Sequence, residues 1–202
     1  HYVKARETGH VLYLEGRTDV DMLCAFADRL NHPVKEILND GARLNVYYLQ
    51  DNYPDAESTL DKELERVEGG FGLSAEKHFH ALKGILPDLR GLEIQDNDGK
   101  RRTEEHRNGL EQLVWRRYEP ENYFITPELL LTFVERQSPG EDLFASQRRE
   151  ILDSLIFEQL FEGELADFEN YRKADASTRK TLWRAQTQHQ KLSAFAEAFF
   201  ER

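Results

Sequence analysis

The segment Val11–Leu23, VLYLEGRTDVDML, decides how the chain is read. Its first four residues, Val11 to Leu14, form the short apolar, strand-favouring run of a buried β-strand. The run ends on Glu15, with Gly16 behind it. Thr18 or Asp19 then offers an N-cap to a helix running to about Leu30, on which Val20, Leu23, Cys24, Ala27 and Leu30 share one apolar stripe. A strand, tight turn and helix are therefore expected. The carboxylates pose a physical problem. Glu15, with Asp19 and Asp21 close after it, stands at the end of a core strand, where a carboxylate needs a cation or several donors to offset its desolvation.

Further along, Leu44 to Leu49 (LNVYYL) predicts a second strand. The acidic stretch 51–70 ends on paired glycines that suit a helix stop, and its charge run reads first as a solvated helix face. Ser74 caps a helix that carries Phe79, Leu82 and Ile85, with Pro87 near its end. His78 and His80, two apart on that helix, do not share a face, which argues against joint metal chelation. GLEIQDNDGK (91–100) predicts a third strand ending at Asp96-Asn97-Asp98-Gly99, and a fourth is expected around Leu113 to Arg116. Thr126-Pro127 opens another helix, with a cap before a first-turn proline. After Pro139-Gly140 the apolar spacing is helical throughout. Short strands separated by helices imply parallel pairing. The expected fold is α/β, a Rossmann-like sheet of mostly parallel strands flanked by helices over residues 1–125, with an added helical subdomain over 126–202.

The chain has 202 residues, enough for one large domain or two small ones, with 39% hydrophobic and 32% charged residues. No run approaches the length a membrane helix needs, so no membrane partner is expected. The one cysteine, Cys24, has no partner for an intrachain disulfide and reads as core; it suits a reducing cytoplasm, the expected location. Met22 is the only methionine, so His1 is not an initiator and the chain is expected to be a piece of a longer polypeptide. A net charge of -11 argues against coating nucleic acid by bulk electrostatics, but not against a local basic groove or an acidic site reversed by bound metal.

In a parallel sheet the strand C-termini share one edge, where ligands usually sit. Glu15 and Asp96 each follow a predicted strand, Asp98 is two residues past Asp96 with Gly99 allowing a sharp bend, and Asp19 lies across the first turn. Several ionised carboxylates share a pocket only when cations hold them, and all-oxygen ligands select Mg²⁺, Mn²⁺ or Ca²⁺ over zinc. Against this, Asp19 has a reading as a plain cap, and DNDG as a plain turn.

LYLEGRTDVDML followed by GLEIQDNDG resembles the Toprim domain, whose signature is Glu-Gly after a first strand and Asp-x-Asp after a later one. WRRYEPENYFITPELL, Trp115 to Leu130, is similar to the segment that follows the Toprim core in nucleases of the OLD (overcoming lysogenization defect) family, with class 2 closest. The resemblance implies a metal-dependent DNA endonuclease, the C-terminal catalytic region of a larger protein whose missing N-terminal part is an ABC-type ATPase and a route to oligomers. This chain has no phosphate loop of its own. Carried over residue by residue, the resemblance puts Glu15, Asp96 and Asp98 around one of two divalent ions, Mg²⁺ or Mn²⁺ with Ca²⁺ as a third candidate, and Asp19 and Glu121 near the other. Glu15 and Asp96 are the catalytic carboxylates. Lys173, with Lys180 and Lys191 behind it, is the expected catalytic cation, and Lys100, Arg101, Arg102, Arg116 and Arg117 are expected to hold the DNA backbone. The rival readings are a primase-like nucleotidyl transferase and a non-catalytic, Mg²⁺-dependent nucleic-acid-binding module.

Overall fold

The computed structural model describes residues 2–49, 74–99, 104–137 and 142–200. The acidic stretch 51–70 and the Lys100–Arg102 cluster lie outside the described residues. The chain divides into two compact units, residues 1–95 with 102–114, and residues 96–101 with 115–202.

The first unit is built on a five-stranded sheet in the order β2-β1-β3-β5-β4. Its strands are β1 (His10–Leu14), β2 (Val46–Tyr48), β3 (Arg90–Gln95), β4 (Glu105–Arg107) and β5 (Leu110–Val114). The first three and β5 run parallel; β4 pairs antiparallel with β5. An α/β fold with a mostly parallel sheet is thus what forms. On β1, Val11 and Tyr13 are buried on one face and Leu12 and Leu14 on the other, which is why the sequence reads as an unbroken apolar run rather than an alternation. The sequence reading missed β4, although Asn108-Gly109 announces it. Both residues have positive φ, 49° and 91°, the backbone of a tight two-residue hairpin turn that Asn-Gly favours.

Helices α1 (Tyr2–Thr8), α2 (Thr18–Arg29), α3 (Lys35–Leu38) and α4 (Ala75–Lys83) accompany the sheet. The expected cap of α4 forms: the Ser74 hydroxyl accepts the Lys77 N–H at 3.4 Å. Phe79, fully buried, lies against Gly91 of β3, where an added Cβ would stand 2.7 Å from the Phe79 ring and 2.8 Å from Leu110. Glycine is required there by close approach, not by φ. The stripe expected on α2 is narrower than predicted: Ala27 is buried, Cys24 only half-buried, and Leu30, just past the helix end, is 73% exposed. Ile85 likewise lies beyond α4 and is exposed.

Two polar groups inside this unit find partners on neighbouring strands. Glu93, buried on β3, accepts a 2.6 Å hydrogen bond from the amide of Gln112, its register partner on β5. His78 stacks on Tyr47 with ring centroids 4.0 Å apart, and its Nδ1 stands 2.9 Å from the Tyr13 hydroxyl. Burial lowers the His78 pKa from its usual 6.5 and raises that of Tyr13.

The second unit is helical: α5 (Glu121–Phe124), α6 (Pro127–Gln137), α7 (Asp142–Leu155) continued by a π-helical turn (Ile156–Leu160), α8 (Leu165–Lys173), α9 (Ala176–Thr187) and α10 (Ser193–Phe200). Its core is aromatic, with Phe168, Tyr171, Trp183, Phe195 and Phe199 buried together. The carbonyl of Leu160, at the end of the π-helical turn, accepts the side-chain amides of Gln186 at 2.5 Å and Gln190 at 3.3 Å. Besides residues 96–101, this unit takes in the chain from Trp115 on, ahead of the boundary expected at residue 126. The reason is that the intervening residues are tied into its core: Ile125 is buried and its carbonyl accepts the Trp183 indole N–H at 3.1 Å. Among the described residues no helix is long and apolar enough to cross a membrane.

Two outcomes follow for the first unit. Gly91→Ala forces the Phe79 ring or β3 to move and is expected to lower stability by about 1–3 kcal/mol in denaturant titration. Because the His78 pKa is lower in the folded state, the unfolded chain binds more protons between that value and 6.5. Stability should therefore fall as pH drops from about 7 toward 5, and His78→Gln, which keeps an acceptor for Tyr13, should flatten that slope.

Candidate functional site

Each unit contributes its own share of the predicted site residues. In the first, the turn after β1 carries Glu15 and Asp19, both half-buried. Asp19 is not the N-cap that the sequence suggested. Helix α2 starts at Thr18 with no side-chain cap, and the Asp19 carboxylate instead turns back to accept the Gly16 N–H at 3.0 Å. This bond closes the strand-to-helix turn and holds the Asp19 carboxylate beside Glu15. Burial raises the Asp19 pKa above its usual value; the Gly16 N–H opposes the shift and the Glu15 charge adds to it. The Glu15 charge thus disfavours ionisation of Asp19, an effect that a bound cation would relieve.

Strand order fixes what comes next to that turn in the sheet. The β1–β3 register pairs Tyr13 with Glu93, so Leu14 and Gln95, the last residues of the two strands, leave the sheet at the same edge. Glu15 follows one and Asp96 the other.

In the second unit, Asp96 and Asp98 are half-buried in a turn pinned by its own backbone. The N–H groups of Asn97 and Asp98 both donate to the Tyr118 carbonyl, at 3.0 and 3.1 Å, and the Asn97 amide donates to the Trp115 carbonyl at 3.1 Å. Asp98 and Gly99 take positive φ, 49° and 66°, a conformation that aspartate tolerates and glycine favours. The Asp-x-Asp-Gly spacing is therefore met by a specific turn anchored to the Trp115–Tyr118 segment.

That segment runs on into Glu119-Pro120-Glu121-Asn122-Tyr123, and its polar residues divide by role. Glu119, which the sequence reading did not single out, is 2% exposed; its carboxylate accepts the Ser193 N–H at 2.6 Å and the Ser193 hydroxyl at 3.2 Å, so a negative charge sits at the N-terminus of α10. Asn122, also buried, donates to the carbonyls of Thr187 at 2.7 Å and Gln190 at 3.1 Å, while its oxygen accepts the Glu119 N–H at 3.1 Å. These two residues are structural clasps. The signal for them lay in the sequence, since polar residues interleaved with Trp115, Tyr118 and Tyr123 are placed where aromatic packing buries them. Glu121, between them, is half-buried at the first position of α5.

The expected cations fare unequally. Arg117 is drawn inward: its guanidinium donates to the Asn122 carbonyl and lies 4.6 Å from the Tyr123 ring centroid, and the Tyr123 hydroxyl accepts its N–H at 3.2 Å. It supports this segment and does not extend from it, while Arg116 beside it is exposed. Lys173, at the end of α8, is 73% exposed and pairs with Glu169 at 2.8 Å. Lys180 and Lys191 are exposed. Among the described residues no group of three or more His, Cys, Asp and Glu side chains is gathered as a metal site. Glu15 and Asp19 are the expected ligands placed side by side.

No protein-family model, curated protein or solved structure matches the chain. What the site offers is an all-oxygen donor set, which suits a hard divalent ion such as Mg²⁺ or Mn²⁺ and disfavours zinc.

Replacing Asn122 by alanine removes its hydrogen bonds to three backbone groups, of which the Thr187 carbonyl keeps the Gln190 N–H. Asn122→Ala is expected to lower stability by about 2–3 kcal/mol, seen as a lower thermal midpoint in circular dichroism.

Proposed function

We propose that the chain is a metal-dependent DNA endonuclease of the Toprim type, the catalytic portion of an OLD-like nuclease. The observation that carries this reading is the adjacency of β1 and β3 in parallel, with Glu15-Gly16 after the first and Asp96-Asn97-Asp98-Gly99 after the second. Acidic residues after neighbouring parallel strands lie where α/β sheets bind their ligands.

Glu15, Asp19, Asp96, Asp98 and Glu121 are the residues that would hold two divalent ions. Such ions, when bound, supply an activated water and stabilisation of the leaving oxygen in phosphodiester hydrolysis. The chain's own part is to fix the carboxylates. The Gly16 N–H orients Asp19, and the Tyr118 carbonyl and the left-handed Asp98-Gly99 backbone orient the second pair. Arg116 would meet the DNA backbone, and Lys173, on release from Glu169, would supply positive charge near the reacting phosphate. An ABC-type ATPase region in the full-length protein, and a cytoplasmic location, belong to the same proposal.

The test is cleavage of supercoiled plasmid with Mg²⁺, Mn²⁺, Ca²⁺ or EDTA. Nicking and linearisation that require metal, and that Glu15→Gln and Asp96→Asn each reduce on the order of 100-fold or more with folding preserved, are the expected result. Intact plasmid under every metal, together with primer synthesis from nucleoside triphosphates, would replace the nuclease by a nucleotidyl transferase. Asp19→Asn separates function from stability. Since the Asp19 pKa is raised on folding, its ionised form costs stability as pH rises above the usual 3.8. The substitution should hold or raise the thermal midpoint at neutral pH while lowering metal-dependent cleavage.

A further inference from the structure

The helical unit contains a cavity of about 350 Å³ that the carboxylate turns do not use. It opens between α6, α7, α8 and α9, and its size is in the range of small-molecule sites, roughly 300–1,000 Å³. Its floor is apolar, formed by buried Leu152 and Ile156, and its walls carry Arg149, Arg172, Arg179, Asp153 and Tyr171.

The polar groups on these walls are unevenly partnered by the protein. Asp153 is half-buried, yet among the described residues it makes no hydrogen bond or ion pair. Burial raises its pKa even though the charges of Arg172, Arg179 and Arg149 all pull it down. The Tyr171 hydroxyl likewise has no hydrogen-bond partner among the described residues. Arg179 lies 5.6 Å from the Tyr171 ring centroid and donates to the carbonyls of Arg172 and Ala174 at 3.3 Å, but its Nε is buried with no partner among the described residues. Arg149 and Arg172 reach outward to Glu135 at 3.3 Å and Glu169 at 3.2 Å, in exposed pairs that add little stability and exchange readily. Buried polar groups in folded proteins are nearly always met. The buried group left unmet here is the Arg179 Nε, while Arg149, Arg172 and the half-buried Asp153 line the same space, so a ligand that fits it carries both an anion and a donor.

Three guanidiniums around one space match a phosphate dianion, whereas a carboxylate is satisfied by a single bidentate arginine. The apolar floor requires a body beyond the phosphate. We propose that this cavity binds a phosphate monoester carrying a hydroxyl group and an apolar body, with the phosphate among Arg149, Arg172 and Arg179 and the hydroxyl donating to Asp153. Both a free nucleoside monophosphate and the 5′-phosphorylated end of a DNA strand have this chemistry. The cavity lies wholly within the second unit, and its occupancy does not depend on the nuclease reading.

The test is isothermal titration calorimetry on the whole chain in EDTA, so that metal-dependent cleavage plays no part. The probes are thymidine 5′-monophosphate, a 5′-phosphorylated oligothymidylate, the same oligonucleotide without its 5′-phosphate, thymidine, and inorganic phosphate. At least one phosphorylated probe should bind saturably and about tenfold or more tighter than its unphosphorylated counterpart and than inorganic phosphate. Whichever phosphorylated probe binds tighter identifies the source. Arg149→Ala and Arg172→Ala, both at exposed positions, should each weaken that binding by about fivefold or more with the circular dichroism spectrum unchanged. Asp153→Ala should weaken the organic probe more than inorganic phosphate. No saturable binding, binding no tighter than inorganic phosphate, or binding unaltered in the Arg149→Ala/Arg172→Ala double variant would overturn the proposal.

Discussion

A parallel pair of strands cannot be closed by a tight turn, so the chain must travel from the end of β1 back to the start of β3 before the two can hydrogen-bond side by side. The pairing of Leu12 with Leu92 depends on that return, and helix α4 provides its last leg. The return is possible because Gly91 has no side chain: the Phe79 ring of α4 occupies the volume a Cβ would need. One missing methyl group thus sets how closely helix and sheet approach, and the sheet order in turn decides which residues leave at which edge.

Electrostatics gives the two turns their character. Holding Asp19 beside Glu15 has a cost, since burial and a like charge both disfavour ionisation, and the Gly16 N–H that closes the turn offsets only part of it. The second unit treats its acidic residue differently. Glu119 is more deeply buried, but it meets an N–H and a hydroxyl at the start of a helix, so its charge is matched within the protein. The contrast is between a charge met by two donors at a helix start and one whose Gly16 N–H bond does not outweigh burial and a like charge.

Much of the sheet was legible because buried parallel strands leave a plain mark: Val11 to Leu14 is apolar on both faces, and Ser74 announces α4 in the expected way. The short edge strand β4 left a weaker one, with Glu105, His106 and Arg107 reading as surface; only Asn108-Gly109 pointed to it. For the site, the residue types were visible and their orientation was not. Asp19 satisfies the same spacing rule as a helix cap, and only the backbone of the turn decides that it bonds to Gly16. Arg117 and Arg116 are adjacent and alike in sequence, yet the Tyr123 ring captures one of them. The arginine cavity could not be read in advance because Arg149, Arg172 and Arg179 are dispersed over three helices, with no local spacing to mark them.

The two units are not consecutive along the chain. Residues 96–101 belong with the helices, and 102–114 return to the sheet before the chain leaves it for good at Trp115. A gene encoding such a protein cannot exchange its sheet for another by a single recombination event and keep both units whole, because any one crossover divides at least one of them. Replacing one unit whole while keeping the other takes more than one crossover, which favours inheritance of the acidic turns and the helical unit together.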